Sequence, residues 1–282
     1  MVTPISNKAL SQNVLRNIGN AKSKLASSVS RLTSGNRILK ASDDATGLSI
    51  SSRLNSDIRA LQKGVENISQ GISLTNVAEG GLQSISSILS EAKALAVQAS
   101  TGTLSDNQRS AIQNQFNSLM SEVDRIVDGT EFNGNKLLDG TLSEDASELN
   151  IQVGTENNSS SKVNLNVIQD VGTESLGIKD LDISSQSSAQ NAIGGIDSAI
   201  QNVVDVRGSI GSVQTRLTSV AGTQKNVIEQ LTSASSEITD ADFAKEISRL
   251  RESEVQLNAS LQALQQSQFS SKNIGSLLNI RT

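Results

Sequence analysis

The sequence predicts a mainly α fold, a long antiparallel helical hairpin or coiled coil with a small β-hairpin region. Three observations carry that reading. Apolar residues recur every seven positions near both ends of the chain, the spacing of a helical seam. The single proline is Pro4, so beyond it no ring clash or missing N–H interrupts a helix. Only the middle of the chain alternates apolar and polar residues at the period of two that marks a strand.

In the first region Ile18, Leu25, Leu32 and Leu39 repeat every seven residues, and Leu15, Lys22 and Val29 fill the intervening row. Lys22 is the charge on that seam and is expected to snorkel or to face a wet neighbour. Gly35, after Thr33 and Ser34, fits a helix C-terminus. Ser42 fits the cap of a second helix, whose dipole Asp43 and Asp44 would favour. That helix carries Leu54, Leu61, Ile68 and Leu82 on one row and Ile58, Val65 and Ile72 on the other, with Thr75 and Glu79 as polar interruptions. Continued by Ile85, Ile88, Leu89, Leu95 and Val97, it is about 50 residues, roughly 75 Å, and needs a partner for its apolar face. Ile112, Phe116, Met120, Val123 and Ile126 mark a third helix, capped at Ser105 or Asp106.

From Thr130 the pattern changes. Phe132, Asn133, Gly134 and Asn135 are turn chemistry, and Leu149, Ile151 and Val153 followed by Val163, Leu165 and Val167 read as a β-hairpin with a polar connection. Ile178 and the stretch Leu181 to Ile183 give weaker strand signals. Helical period returns near Ala189, with Ile196, Val203, Ile210 and Leu217 on one row flanked by Ile193 and Ile200, and continues through Ile228, Leu231 and Ile238. Thr239 is expected to cap a last helix bearing Ile247, Leu250, Leu257, Leu261 and Leu264, then Ile274 and Leu277. Antiparallel pairing of the two terminal helices would bury both seams.

The 282 residues are 35% apolar and 19% charged with a net charge of −5, which fits neither a disordered acidic tail nor a membrane protein. With four Phe and no Trp or Tyr, the core must be thin and aliphatic. The chain has no His and no Cys, which removes the commonest general base, the commonest thiolate nucleophile and the usual zinc ligands. Twenty-four basic against 29 acidic residues leave no concentrated basic field for nucleic acid or anionic membranes. The N-terminal MVTPISNKALSQNVL has no continuous apolar run, so any export is expected to use an uncleaved signal.

Asp43 with Asp44, and Asp240 with Asp242, each fall between a turn and a new apolar period, and read as helix caps before acid/base or metal groups. Gly194, Gly195, Gly208 and Gly211 lack the strand and the Lys that a phosphate loop needs. No catalytic, cofactor or metal residue is nominated, and no enzyme activity is expected.

Residues 34–54, SGNRILKASDDATGLSISSRL, closely resemble the signature of bacterial flagellins. The segments at 67–89, 94–100, 122–127 and 132–138, and then EITDADFAKEISRL at 237–250 and NIGSLLNIR at 273–281, resemble that family in order and spacing. The resemblance implies a structural subunit of the flagellar filament in a short form without the variable outer domains. Such a subunit is secreted unfolded through the flagellar type III apparatus, polymerises at the distal tip and serves swimming motility.

It further implies an inner coiled-coil domain from residues 1–44 and 240–282, and an outer core at 45–239 with helices at 45–100, 104–128 and 189–238 and a β region at 130–188. Inner-domain packing and polymerisation would fall to Leu15, Ile18, Leu25, Leu32, Leu257, Leu261 and Leu264. Ser34, Gly35, Asp43, Asp44 and Gly47 would form the connecting spoke. Implied partners are further copies of the chain, the filament cap, the junction proteins and an export chaperone on the C-terminal helix, with no nucleic acid and no membrane insertion. The family's innate-receptor contact maps to Glu91, Leu95 and Gln115. Glu91 stands where an Arg is usual and Gln115 where a Glu is usual, which implies weak recognition or none. A hook-filament junction protein is the alternative; a signalling coiled-coil hairpin fits less well.

Overall fold

The structure is a computed structural model that describes residues 4–141 and 149–279, with side chains for residue 9 and for residues from 11 to 270 within those ranges. The described elements are α1 (Pro4–Ser34), α2 (Ala45–Ala99), α3 (Asp106–Gly129), β1 (Glu131–Phe132), β2 (Asn135–Lys136), β3 (Asn150–Gln152), β4 (Lys162–Asn164), α4 (Gln186–Thr239) and α5 (Phe243–Asn279). The mainly helical prediction holds, and the helix limits lie within a few residues of those expected. The chain divides into a terminal unit, residues 1–56 with 231–282, and a central unit, residues 57–230.

In the terminal unit α1 packs along α5. Gly35 ends α1 as anticipated, with φ at +75° and its N–H donating to Arg31 O at 2.9 Å. At two helix starts where both a hydroxyl and a carboxylate are expected as caps, the carboxylate takes the role. Asp44, not Ser42, caps α2, its Oδ1 accepting the Gly47 N–H at 2.8 Å. Asp242, not Thr239, caps α5, its Oδ1 accepting from the N–H groups of Ala244 and Lys245 at 3.0 and 3.1 Å. Thr239 is still inside α4, where its hydroxyl donates to Ser235 O at 2.9 Å. In both cases a carboxylate standing nearer the first turn outcompetes a hydroxyl for the free N–H groups. The expected apolar positions Ile274 and Leu277 lie outside the described side chains.

The central unit holds the main core. Ile196, Val203, Ile210 and Leu217 are all buried, as the seven-residue row requires, together with Ile68, Leu82, Ile85 and Leu89 of α2 and Phe116, Met120 and Val123 of α3. Glu79 interrupts the α2 pattern because it faces a cation: Arg207 Nε donates to Glu79 Oε1 at 2.8 Å. Ser105 starts α3 as a capping box, with its backbone N–H donating to Gln108 Oε1 at 2.9 Å. Arg109, one residue further on, was not anticipated. It is buried, and its guanidinium donates to Ala99 O, Thr101 O and Asp106 Oδ1 at 3.0 to 3.1 Å, closing the C-terminus of α2.

Both hairpins are antiparallel. β1 pairs with β2 through Asn133 and Gly134, with φ at 52° and 80°, the positive values a type I′ turn demands. β3 pairs with β4 in the register Ile151 opposite Val163; the alternation predicts the hairpin but leaves its pairing open. The second hairpin lies on α2 at two glycines: a Cβ at Gly64 would meet Val153 O, and one at Gly71 would meet the Ile151 side chain. Ile178 and Ile183 are buried, but their segment is turn and loop, not strand. Its amides find partners within short turns, as when Ile178 N donates to Thr173 O at 2.9 Å, so no ladder forms.

Candidate assembly site

The seam between α1 and α5 is narrow and unusually polar. On α1 the sheltered positions are Ser11, Val14, Ile18, Ala21, Leu25, Ser28 and Leu32, and on α5 they are Glu246, Leu250, Ser253, Leu257, Ser260, Leu264 and Ser267. Five of the seven expected packing residues, Ile18, Leu25, Leu32, Leu257 and Leu264, therefore lie on the seam. Leu15 does not, and the expected row of Leu15, Lys22 and Val29 is corrected by one position to Val14, Ala21 and Ser28. Periodicity permits either row, but the first would bury the Lys22 ammonium. Leu261 is likewise outside the seam, because α5 presents serine on the row beside its leucines.

Further apolar side chains remain uncovered in the single chain. Leu15 and Val29 are 54% and 44% exposed on α1, and Val255, Phe269 and Leu261 are 68%, 62% and 41% exposed on α5, with Phe243 and Ile247 also exposed. Large apolar side chains on a charged or serine-rich helix are the material of an interface.

The connector knits the ends of α1, α4 and α5. Arg37 N donates to Thr239 O at 2.6 Å and Ala241 N to Gly35 O at 2.8 Å, around an antiparallel bridge between Asn36 and Asp240. The Arg37 guanidinium adds a bond to Ile238 O at 2.7 Å. Asp43 Oδ2 accepts the N–H groups of Leu39 and Lys40, both at 3.1 Å. Those two bonds, and then the Arg31 charge, hold the Asp43 carboxyl below its ordinary value. Of the expected spoke residues, Ser34 and Gly35 lie at the end of α1, where Ser34 Oγ accepts the Asn36 N–H at 3.2 Å, and Asp43, Asp44 and Gly47 lie around the start of α2.

Glu246 was missed by the sequence reading, which followed only apolar periodicity. It is 4% exposed on the seam, accepts the Ser28 hydroxyl at 2.7 Å and lies 3.8 Å from Arg31 and 3.3 Å from Arg249. Of the three positions to which the resemblance maps a receptor contact, Glu91 and Gln115 are exposed, whereas Leu95 is built into the central core. Among the described residues no group of three or more carboxylates could hold a metal ion, and no helix is long and apolar enough to cross a membrane.

Two family models match the chain. The bacterial flagellin N-terminal helical region covers residues 5–143 and the bacterial flagellin C-terminal helical region covers residues 193–278. The chain belongs to the bacterial flagellin family. It is 34% identical to the flagellin of Halalkalibacterium halodurans over 92% of this chain and 93% of that one. It is also 34% identical to the flagellin of Bacillus subtilis, over 97% and 99%. Among solved structures, the Bacillus cereus flagellin is similar over 56% of this chain and 88% of that one, at 29% identity and a TM-score of 0.49. As a flagellin, the protein is a structural subunit of the extracellular flagellar filament.

Proposed function

We propose that this flagellin polymerises through its paired termini, with residues 1–44 and 240–282 as the inner coiled-coil domain and 45–239 as the outer core. The observation that supports this reading is the set of uncovered apolar side chains Leu15, Val29, Val255, Leu261 and Phe269 on the paired helices, which neighbouring copies would remove from water. Leu15 and Leu261 then act between subunits, while Ile18, Leu25, Leu32, Leu257 and Leu264 hold the pair itself together. The C-terminal helix, with Gln262, Gln265, Gln266 and Gln268 among its last turns, is the segment an export chaperone would cover before secretion. Cap and junction proteins would meet the same surfaces at the ends of the filament. A hook-filament junction role is disfavoured by the two flagellin matches along the chain.

Seeded polymerisation of the purified chain, read by electron microscopy and far-ultraviolet circular dichroism, tests the reading. Long filaments with helix gained on assembly are expected. Short capped stubs, under conditions that polymerise a control flagellin, would transfer the chain to the junction class.

A further inference from the structure

The α1–α5 seam repeats so regularly that its apolar contacts do not define where along α1 the last helix should sit. The hydroxyls of Ser11 and Ser267 are hydrogen-bonded at 2.9 Å, which fixes one antiparallel register. Stepping in sevens from that contact sets Ile18 and Leu25 opposite serines of α5, and Ala21 and Ser28 opposite leucines. Large side chains meet small ones at each such level. Moving α5 by one heptad, about 10.5 Å, preserves that matching, because Leu250, Leu257 and Leu264 are chemically the same row and Ser253, Ser260 and Ser267 are another. Glu246 is the member of the serine row that breaks the repeat.

We propose that Glu246, with Ser28 and Arg31, is the register lock of the terminal helix pair. A heptad slip in either direction withdraws its carboxylate from the Ser28 hydroxyl and from Arg31. One direction sets it by Ala21, which offers no hydroxyl, and exchanges the Arg31 guanidinium for the single ammonium of Lys24; the other drives it past the end of α1. Arg31 also lies 4.0 Å from Asp43, so the lock is referred to the connector as well as to α5. A buried, hydrogen-bonded carboxylate is ill suited to adding stability and well suited to choosing one packing from several equivalent ones. Identical register in every copy is what a regular filament needs.

The chain has no cysteine, so paired cysteines report register directly: a disulfide tolerates a Cα separation of about 4.4 to 6.8 Å, less than one heptad. Ser11→Cys with Ser267→Cys reads the observed register. Ile18→Cys with Ser267→Cys reads the register in which α5 has moved one heptad toward the connector. Oxidised in full-length chain, before and after seeding, the first pair should dominate when Glu246 is present. Exchanging the lock by Glu246→Ser with Ser253→Glu should reverse the yields, favouring the second pair by roughly tenfold or more, the preference expected of a charged hydrogen bond. Glu246→Leu should leave helix content unchanged while both pairs form. If the observed-register pair still dominates after the exchange, register is set by the connector bonds and the proposal fails. It fails equally if Glu246→Leu costs helix content without producing the second cross-link, since Glu246 would then be only structural.

Discussion

Asp44 Oδ1 accepts the Gly47 N–H at 2.8 Å, and an ideal Cβ on Gly47 would stand 2.6 Å from Asp44 Oδ2 and 2.7 Å from Ile38 Cδ1. Cap and glycine are therefore one device. Asp44→Ala should cost about 1 kcal/mol, the usual value of an N-cap, and Gly47→Ala should cost at least as much by displacing the carboxylate. Because both changes remove the same bond, the double variant should cost well under the sum of the two. Urea unfolding of the four proteins measures this, and simple additivity would contradict it.

Leu257 sits half-buried on the seam of α5, opposite the short side chains of α1. Leu257→Asp places an unpaired carboxylate there. Polymerisation should be abolished in seeded assays while amide exchange in the central core, for example at Leu82, Leu89 and Val203, stays as slow as in the parent. Normal filaments from the variant would refute a packing role for this position.

The central core was legible because its pattern is redundant. Ile196, Val203, Ile210 and Leu217 repeat without interruption, and Val206, Val213 and Val220 run beside them on the same face. The terminal seam was legible only in part, since rows starting at Val14 and at Leu15 satisfy periodicity equally, and the choice between them rests on the cost of burying Lys22. Glu246 and Arg109 were not legible. A charged side chain gives no periodic signal, and their partners, Ser28 across the seam and the carbonyls of Ala99 and Thr101, are set by tertiary contact. The turn at Asn133 and Gly134 was readable from two residues, because few other residues accept positive φ there.

Arg109 satisfies the last turn of α2 from the neighbouring helix. Arg109→Met keeps much of the stem packing but leaves Ala99 O and Thr101 O without their donor, which should cost about 1 to 3 kcal/mol. Arg109→Lys should recover only part of that loss, because one ammonium lacks the fork that reaches both carbonyls and Asp106. Thermal unfolding of the two variants ranks them, and equal melting points for parent and Arg109→Met would show that water replaces the guanidinium at no cost.

Asp43 gives the connector a defined acid response. Its folded pKa is depressed, chiefly by the N–H groups of Leu39 and Lys40, so ionised Asp43 stabilises the fold above the unfolded value near about pH 4. That contribution is lost as pH falls through the folded value. The parent should therefore exceed Asp43→Asn in urea midpoint by a constant margin from neutral pH to about pH 5, with the margin shrinking below about pH 4. A margin that widened toward acid would mean that the carboxyl is protonated in the folded chain.

Glu91 and Gln115 are both exposed, so substitutions there test receptor recognition without disturbing the core. Leu95 is taken up by that core, so the contact that the resemblance implies would fall to the two polar positions. A receptor surface matched to an Arg and a Glu meets a reversed charge at Glu91 and a lost charge at Gln115, and like charges across an interface oppose association. The parent should stimulate the flagellin-sensing Toll-like receptor weakly in reporter cells. Glu91→Arg with Gln115→Glu should raise the response at least tenfold, with the larger share from Glu91→Arg because it removes a repulsion as well as adding an attraction. A parent response equal to that of a strongly recognised flagellin would show that the contact is made elsewhere on the chain.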